Sequence, residues 1–272
     1  MNSLLDSQPF QLACMEEDLD RYRDLVDRQS EDFASWANAQ YALLAEMKPT
    51  ESSLGNVLKT ESIRDGIICE FGVCTGRSTN LLARALKPRE VFGFDSFEGL
   101  PDDWVVGDLK VPRGFLAVDA DKLQFEPNVN LVKGFFSETL PKFLEEHNEP
   151  IGLMHVDCDT YESTVDILRL TCDRLQPGSI IVFDEILGDM GLENELKALG
   201  EFLEREKCET EWINWGGHCW TAKTQDSFKK IKRPDFSHKL KMVMSNGSYI
   251  IRHLRNPKKI EECKSAAAIR FN

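Results

Sequence analysis

From residue 63 onward short apolar runs alternate with amphipathic stretches, and this alternation limits the available folds more than any other feature. GIICEF (66–71), EVFGFD (90–95), VNLVKG (129–134), IGLMHVD (151–157) and SIIVFDE (179–185) read as strands. Helices are predicted from the turn after residue 76 to residue 86, then over 141–147, 161–175 and 192–207. Strand, helix, strand at this spacing requires right-handed crossovers, hence a parallel sheet covered on both faces. The runs are apolar throughout rather than alternating, as doubly covered strands should be. The predicted fold is doubly wound α/β, Rossmann-like and mostly parallel. EWINW (211–215), HCWTAKT (218–224) and SYIIRHL (248–254) read as extended segments that close the sheet with antiparallel strands.

Ahead of this pattern, Leu19, Tyr22, Leu25, Val26, Phe33, Trp36, Tyr41 and Leu44 recur at helical spacing. One or two amphipathic helices are expected there, covering the core, a partner subunit or the active site. The expected organisation is a helical extension or lid over 1–60, a Rossmann-like domain over 61–224, and an extension over 225–272 packed on the same domain. No low-complexity linker interrupts the chain.

A formal net charge of -13 makes a phosphate backbone a poor partner, so nucleic acid is not the expected substrate. The basic runs 229–233 and 239–241 read as a solvated face. None of the eight cysteines forms a CxxC pair, and no stretch approaches the ~20 apolar residues a membrane span needs. A cytoplasmic protein with reduced thiols and no membrane partner is the expectation.

The first strand ends in an acid and a glycine-bearing turn. Gly72 and Gly76 lack a Cβ and let backbone approach a ligand. The helix that follows, with Ser78 and Thr79 in its first turn, aims its amides at the same place and favours an anionic group. The spacing is G-x-x-x-G rather than the dinucleotide G-x-G-x-x-G, which argues against a nicotinamide or flavin reductase. Asp95 closes the second strand about 20 residues later, where an acid accepts from ribose hydroxyls or caps a helix.

Asp157 and Asp159 close the fourth strand, and Asp184 and Glu185 the fifth. In sheet order 3-2-1-4-5 those strands are neighbours about 4.8 Å apart. Four carboxylates then share one edge and require a cation or raised pKa values to relieve their repulsion. An all-oxygen set suits Mg²⁺ or a similar divalent ion. The competing structural reading is strand-end caps and salt bridges to Arg169 or Lys197. His155, inside an apolar strand, reads as a satisfied core histidine, and Ser163 and Thr164 as first-turn residues of a helix. The stretches 99–115 and 187–190 are where a substrate lid would fall. His218, among Trp212, Trp215 and Trp220, belongs either to a substrate pocket or to a hydrophobic sheet end.

EFGVCTGRST (70–79), FDSFEGLP (94–101), VKGFFSETLP (132–141), HVDCDTYEST (155–164) and PGSIIVFDE (177–185) occur in order, and together they resemble the TylF/MycF-type macrocin O-methyltransferase family of class I methyltransferases. The resemblance covers about residues 60–205. It implies an S-adenosylmethionine-dependent, divalent-metal-assisted O-methyltransferase acting on a small metabolite, such as a sugar or glycosylated natural product. Glu70, Gly72 and Gly76, with Ser78, Thr79 and Asp157, would hold the methionine end of the cofactor. Asp95 would bind its ribose, and Phe136 and Ser137 its adenine. Asp157, Asp184 and Glu185 would ligate the metal, with Glu185 standing for a more usual Asp, and Asp159 would be the general base. Cys74 takes the place of a middle glycine. The family also implies a homo-oligomer through the N-terminal helices. Two readings compete: a Rossmann-like enzyme of hydroxylase type, and a non-catalytic cofactor-binding interaction module.

Overall fold

Nine short segments become strands in the computed structural model, which describes residues 28–106, 109–217 and 266–272. Five of them, β1 (Ile67–Phe71), β2 (Val91–Asp95), β5 (Val129–Lys133), β6 (Ile151–Val156) and β7 (Ile180–Phe183), match the strands read from sequence. A small antiparallel hairpin, β3 (Trp104–Val106) and β4 (Leu109–Val111), rises from the loop after β2. β8 (Thr210–Gly216) and β9 (Ala266–Phe271) complete the set.

One sheet runs in the order β5-β2-β1-β6-β7-β9-β8. All pairings from β5 to β7 are parallel, and β9 is antiparallel to both β7 and β8. Strand order therefore reverses between β1 and β6, the switch point where open α/β sheets bind ligands beyond their carboxyl ends.

Both faces of the central strands are covered, which accounts for their unbroken apolar runs. Ile68, Leu153, Ile180 and Val182 pack with Leu54 and Val57 of α2 (Ser53–Thr60) and with Leu82 and Ala83 of α3 (Arg77–Ala85). Phe71, Met154, Val156, Ile181 and Phe183 face the opposite layer. That layer holds α1 (Glu31–Ala45), α4 (Phe136–Glu146), α5 (Tyr161–Thr171) and α7 (Glu195–Glu206), with the short α6 (Gly188–Leu192) between β7 and α7. Edge strand β5 departs from the expectation: no side chain of it is fully buried and Leu131 is 37% exposed.

The terminal segments are part of this core. Trp215 on β8 is buried and its Nε1 donates to the Met47 carbonyl at 3.1 Å. Ser53 Oγ donates to Asn214 Oδ1 at 2.6 Å. Residues 266–271, within the expected C-terminal extension, form an interior strand of the sheet. The predicted strands HCWTAKT and SYIIRHL, the basic runs and the N-terminal part of the helical pattern lie outside the described residues. The predicted lids are structured elements, the β3–β4 hairpin and α6.

Candidate active site

A cavity of about 340 Å³ opens at the carboxyl edge of the sheet, over the switch point. Gly72, Asp95 and Asp157 bring the ends of β1, β2 and β6 into its lining. Asp159, Phe136 and Ser137 line it as well. Its walls also carry Asp102, Glu162 and Asp166, while Arg113 is the one basic side chain among the described lining residues. Such a cavity is complementary to a cationic ligand.

The two loop glycines are explained by contacts within the protein. A Cβ on Gly72 would stand 1.7 Å from the Asp157 carbonyl oxygen, so glycine lets β1 and β6 close up beneath the cavity. A Cβ on Gly76 would stand 2.5 Å from the Phe125 ring, and Gly76 is outside the lining. Buried Asn80 on α3 holds Phe125 there. Its amide donates to the Gln124 carbonyl at 2.9 Å and its Oδ1 accepts from Glu126 N–H at 2.8 Å. Gly76 also has φ +74°, in the left-handed region, as it caps α3.

Asp95 organises the loop as well as lining the cavity. One oxygen accepts from Cys74 N–H at 2.7 Å and the other from Phe97 N–H at 2.7 Å. A carboxylate offers about four lone-pair positions, which leaves acceptors for ribose hydroxyls. Phe136 is half-buried and meets Phe71 edge-on, with ring centroids 5.3 Å apart.

Three residues expected at the cofactor are buried and stand outside the cavity lining. Glu70 and Thr79 are fully buried and Ser78 is 3% exposed; none is among the lining residues. Glu70 accepts from Thr79 Oγ1, and its other oxygen lies 2.8 Å from His155 Nδ1. Burying a carboxylate is costly unless it is paired, and these partners are the reason it sits there.

The acids at the ends of β6 and β7 form a different constellation from the one expected. Ligand atoms of His155, Asp157 and Asp184 lie within 4.8 Å of one another, and Glu185 is not in that group. His155 Nε2 is 3.7 Å from Asp184 Oδ1. Glu185 lies next to Glu195, whose Oε2 accepts from the Glu185 N–H at 3.3 Å. Glu195 is buried at the start of α7, and Asp184 and Asp159 act on its charge. In the sequence His155 reads as a satisfied core histidine, and nothing singles out Glu195. The polar positions at β-register Glu70↔His155 inside two apolar strands were the available signal for the first.

Protonation follows from this crowding. Burial and then the Asp184 charge hold Asp157 well above the usual carboxylate range. Burial and then Asp184 do the same for Glu195. Burial opposes the charged form of His155, but Asp184 and Glu70 outweigh it and raise its pKa well above the ordinary imidazole value. Burial also raises the Cys74 thiol, which is therefore an inert wall rather than a nucleophile.

Backbone strain gathers at the same place. Five described non-glycine residues have positive φ: Cys74, Phe97, Leu116, Asp159 and Lys207. Cys74, Leu116 and Asp159 line the cavity, and Phe97 sits in the loop between two lining residues, Ser96 and Gly99. Strain of about 1–3 kcal/mol per residue persists where surrounding structure over-determines it, commonly at functional sites.

Residues 69–186 match the methyltransferase domain family. The likeness is confined to this stretch. It begins within β1, ends just after Glu185, and contains every cavity-lining residue named above. Two relatives similar to this chain are O-methyltransferases. Demethyldecarbamoylnovobiocin O-methyltransferase of Streptomyces niveus is 24% identical over 184 residues, covering 61% of this chain and 69% of the relative. The 8-demethyl-8-(2,3-dimethoxy-alpha-L-rhamnosyl)-tetracenomycin-C 4'-O-methyltransferase of Streptomyces olivaceus is 30% identical over 143 residues, covering 44% of this chain and 52% of the relative. The chain thus spans about half the length of the second. The crystal structure of CalS11, a calicheamicin methyltransferase, is 23% identical with a TM-score of 0.45, covering 76% of this chain and 90% of that one. No helix among the described residues is long and apolar enough to cross a membrane.

Proposed function

We propose that the chain is an S-adenosylmethionine-dependent O-methyltransferase of the macrocin O-methyltransferase type, acting on a hydroxyl of a sugar or glycosylated natural product. The observation that carries this reading is the cavity joining Gly72, Asp95 and Asp157 at the switch point, inside the matched methyltransferase domain. Its acidic lining suits a cofactor whose reactive centre is a sulfonium cation. The acceptor class is supported by the relatives, one of which carries a rhamnosyl group in its name.

When bound, the cofactor supplies an electrophilic methyl group. Asp95 accepts from its ribose hydroxyls, and Phe136 and Ser137 meet the adenine. Gly72 and Asp157 would hold its methionine end. Asp159, at the cavity wall, takes the proton from the acceptor hydroxyl as that oxygen attacks the methyl carbon. The carbon–sulfur bond breaks as the carbon–oxygen bond forms, leaving the thioether on the cofactor. A divalent cation of the Mg²⁺ kind is part of this reading, because Asp157 and Asp184 sit too close to stay ionised unaided. Asp157 and Asp184 would hold such an ion, which would lower the pKa of an acceptor hydroxyl. The enzyme works in the cytoplasm.

Calorimetric titration with S-adenosylmethionine and, separately, NADH tests the core of the proposal. Micromolar binding of the first and none of the second is expected. Absence of S-adenosylmethionine binding removes it. S-adenosylhomocysteine release over a panel of rhamnosylated and unglycosylated acceptors then tests the acceptor class.

A further inference from the structure

Under the floor of the cavity Glu70, His155 and Asp184 form a line across three neighbouring strands. The β1–β6 register sets Glu70 beside His155, and the β6–β7 register sets His155 beside Val182, two residues short of Asp184. His155 Nδ1 is 2.8 Å from Glu70 Oε1, which fixes the ring and directs Nε2 the other way. Nε2 is fully buried and has no hydrogen-bond partner.

Leaving a buried polar atom unsatisfied costs about 1–3 kcal/mol, so a ring nitrogen held in this state calls for a partner. Asp184 Oδ1 stands 3.7 Å away, too far for a hydrogen bond. Two atoms each about 2.1 Å from one small ion stand about 3.0–3.4 Å apart, so a small closure of this pair would let both share it. The half-buried Asp157 brings a carboxylate oxygen within 4.8 Å of both and opens onto the cavity.

We infer that His155 Nε2, Asp157 and Asp184 together seat a divalent cation, with Glu70 as the positioning residue and Glu185 outside the ligand set. This inference rests on the divalent-cation reading above and changes its chemistry. An imidazole that donates from Nδ1 to a carboxylate presents the Nε2 lone pair to a metal, the arrangement common to metal-bound histidines. Oxygen-only sites suit Mg²⁺ and Ca²⁺, whereas a mixed nitrogen and carboxylate set favours first-row transition ions. The seat therefore prefers such an ion over Mg²⁺.

Mn²⁺ titrated into the full chain, followed by electron paramagnetic resonance, tests this without an activity readout. Bound Mn²⁺ is expected to show nitrogen coupling from a directly ligated imidazole and to resist a hundredfold excess of Mg²⁺. The coupling should vanish in His155→Asn. Affinity should fall at least tenfold in Asp184→Asn and about 10–100-fold in Glu70→Gln, the usual cost of losing such an orienting partner. Glu185→Gln should bind within about threefold of the unmodified protein. The coupling is read on the unmodified protein, so a poorly folding His155 variant leaves the test intact. Bound Mn²⁺ without nitrogen coupling, together with lost binding in Glu185→Gln, would overturn the inference and leave an oxygen-only cation site standing. No Mn²⁺ or Mg²⁺ binding by the unmodified protein would instead remove the divalent-cation reading, and this inference with it.

Discussion

Asp159 holds a left-handed backbone, φ 64°, immediately before Thr160 caps α5. An Asp tolerates that conformation better than most residues, and this one lines the cavity. Asp159→Asn keeps size and backbone preference and removes the proposed proton acceptor. Turnover is expected to fall about 10²–10⁴-fold, with S-adenosylmethionine affinity changed less than threefold by calorimetry. Residues of this kind were legible in the sequence because strand-end acids announce themselves. Glu70 was legible as an acid, and only the structure reveals Thr79 and His155 around it. Glu195 gave no signal, because a Glu in the first turn of a helix is ordinarily exposed and helix-stabilising.

At the scale of elements, the glycine loop is held by its neighbours. Gly76→Ala must place a methyl group on the Phe125 ring and hold φ +74°. A loss of about 1–3 kcal/mol is expected, measured by urea unfolding, with weaker cofactor binding as the loop shifts. Leu82→Ala removes a fully buried side chain of α3 from the layer over β1 and should cost about 2–5 kcal/mol by the same assay. The parallel strands were readable because burial on both faces forces long apolar runs. β5 read the same way, although its edge position leaves it half-exposed. α2, at eight residues, and β9, written AAAIRF, escaped notice. Alanine has little strand preference, and its presence in β9 reflects an interior place between β7 and β8 rather than local propensity.

For the molecule as a whole, the acid cluster sets the direction of pH dependence. The folded-state pKa of Glu195 is raised, so above about pH 4.5 the native state keeps a proton that the unfolded chain has released. Stability contributed this way falls as pH rises. His155 acts with the same sign: its raised pKa stabilises fully below about pH 6.5, and that contribution is lost as pH climbs through the folded value. In chelator, the melting temperature is expected to drop steadily from pH 6 to pH 9. Glu195→Gln should flatten that slope and melt higher than the unmodified protein at pH 9 while matching it at pH 5. A flat profile for the unmodified protein in differential scanning calorimetry would contradict this picture.

The place of β9 carries a consequence for how the protein comes into being. It pairs on both sides, with β7 and with β8, yet it is built from residues 266–271. During synthesis from the amino terminus, β7 emerges before its outer partner, and β8 has none to pair with among the described strands made by then. Neither is satisfied until more than eighty residues beyond β7 have left the ribosome. An open strand edge is a template for the wrong partner, so a nascent chain stalled before residue 266 offers one to its neighbours. The final strand therefore works as a keystone: translation must run past it before the sheet can close.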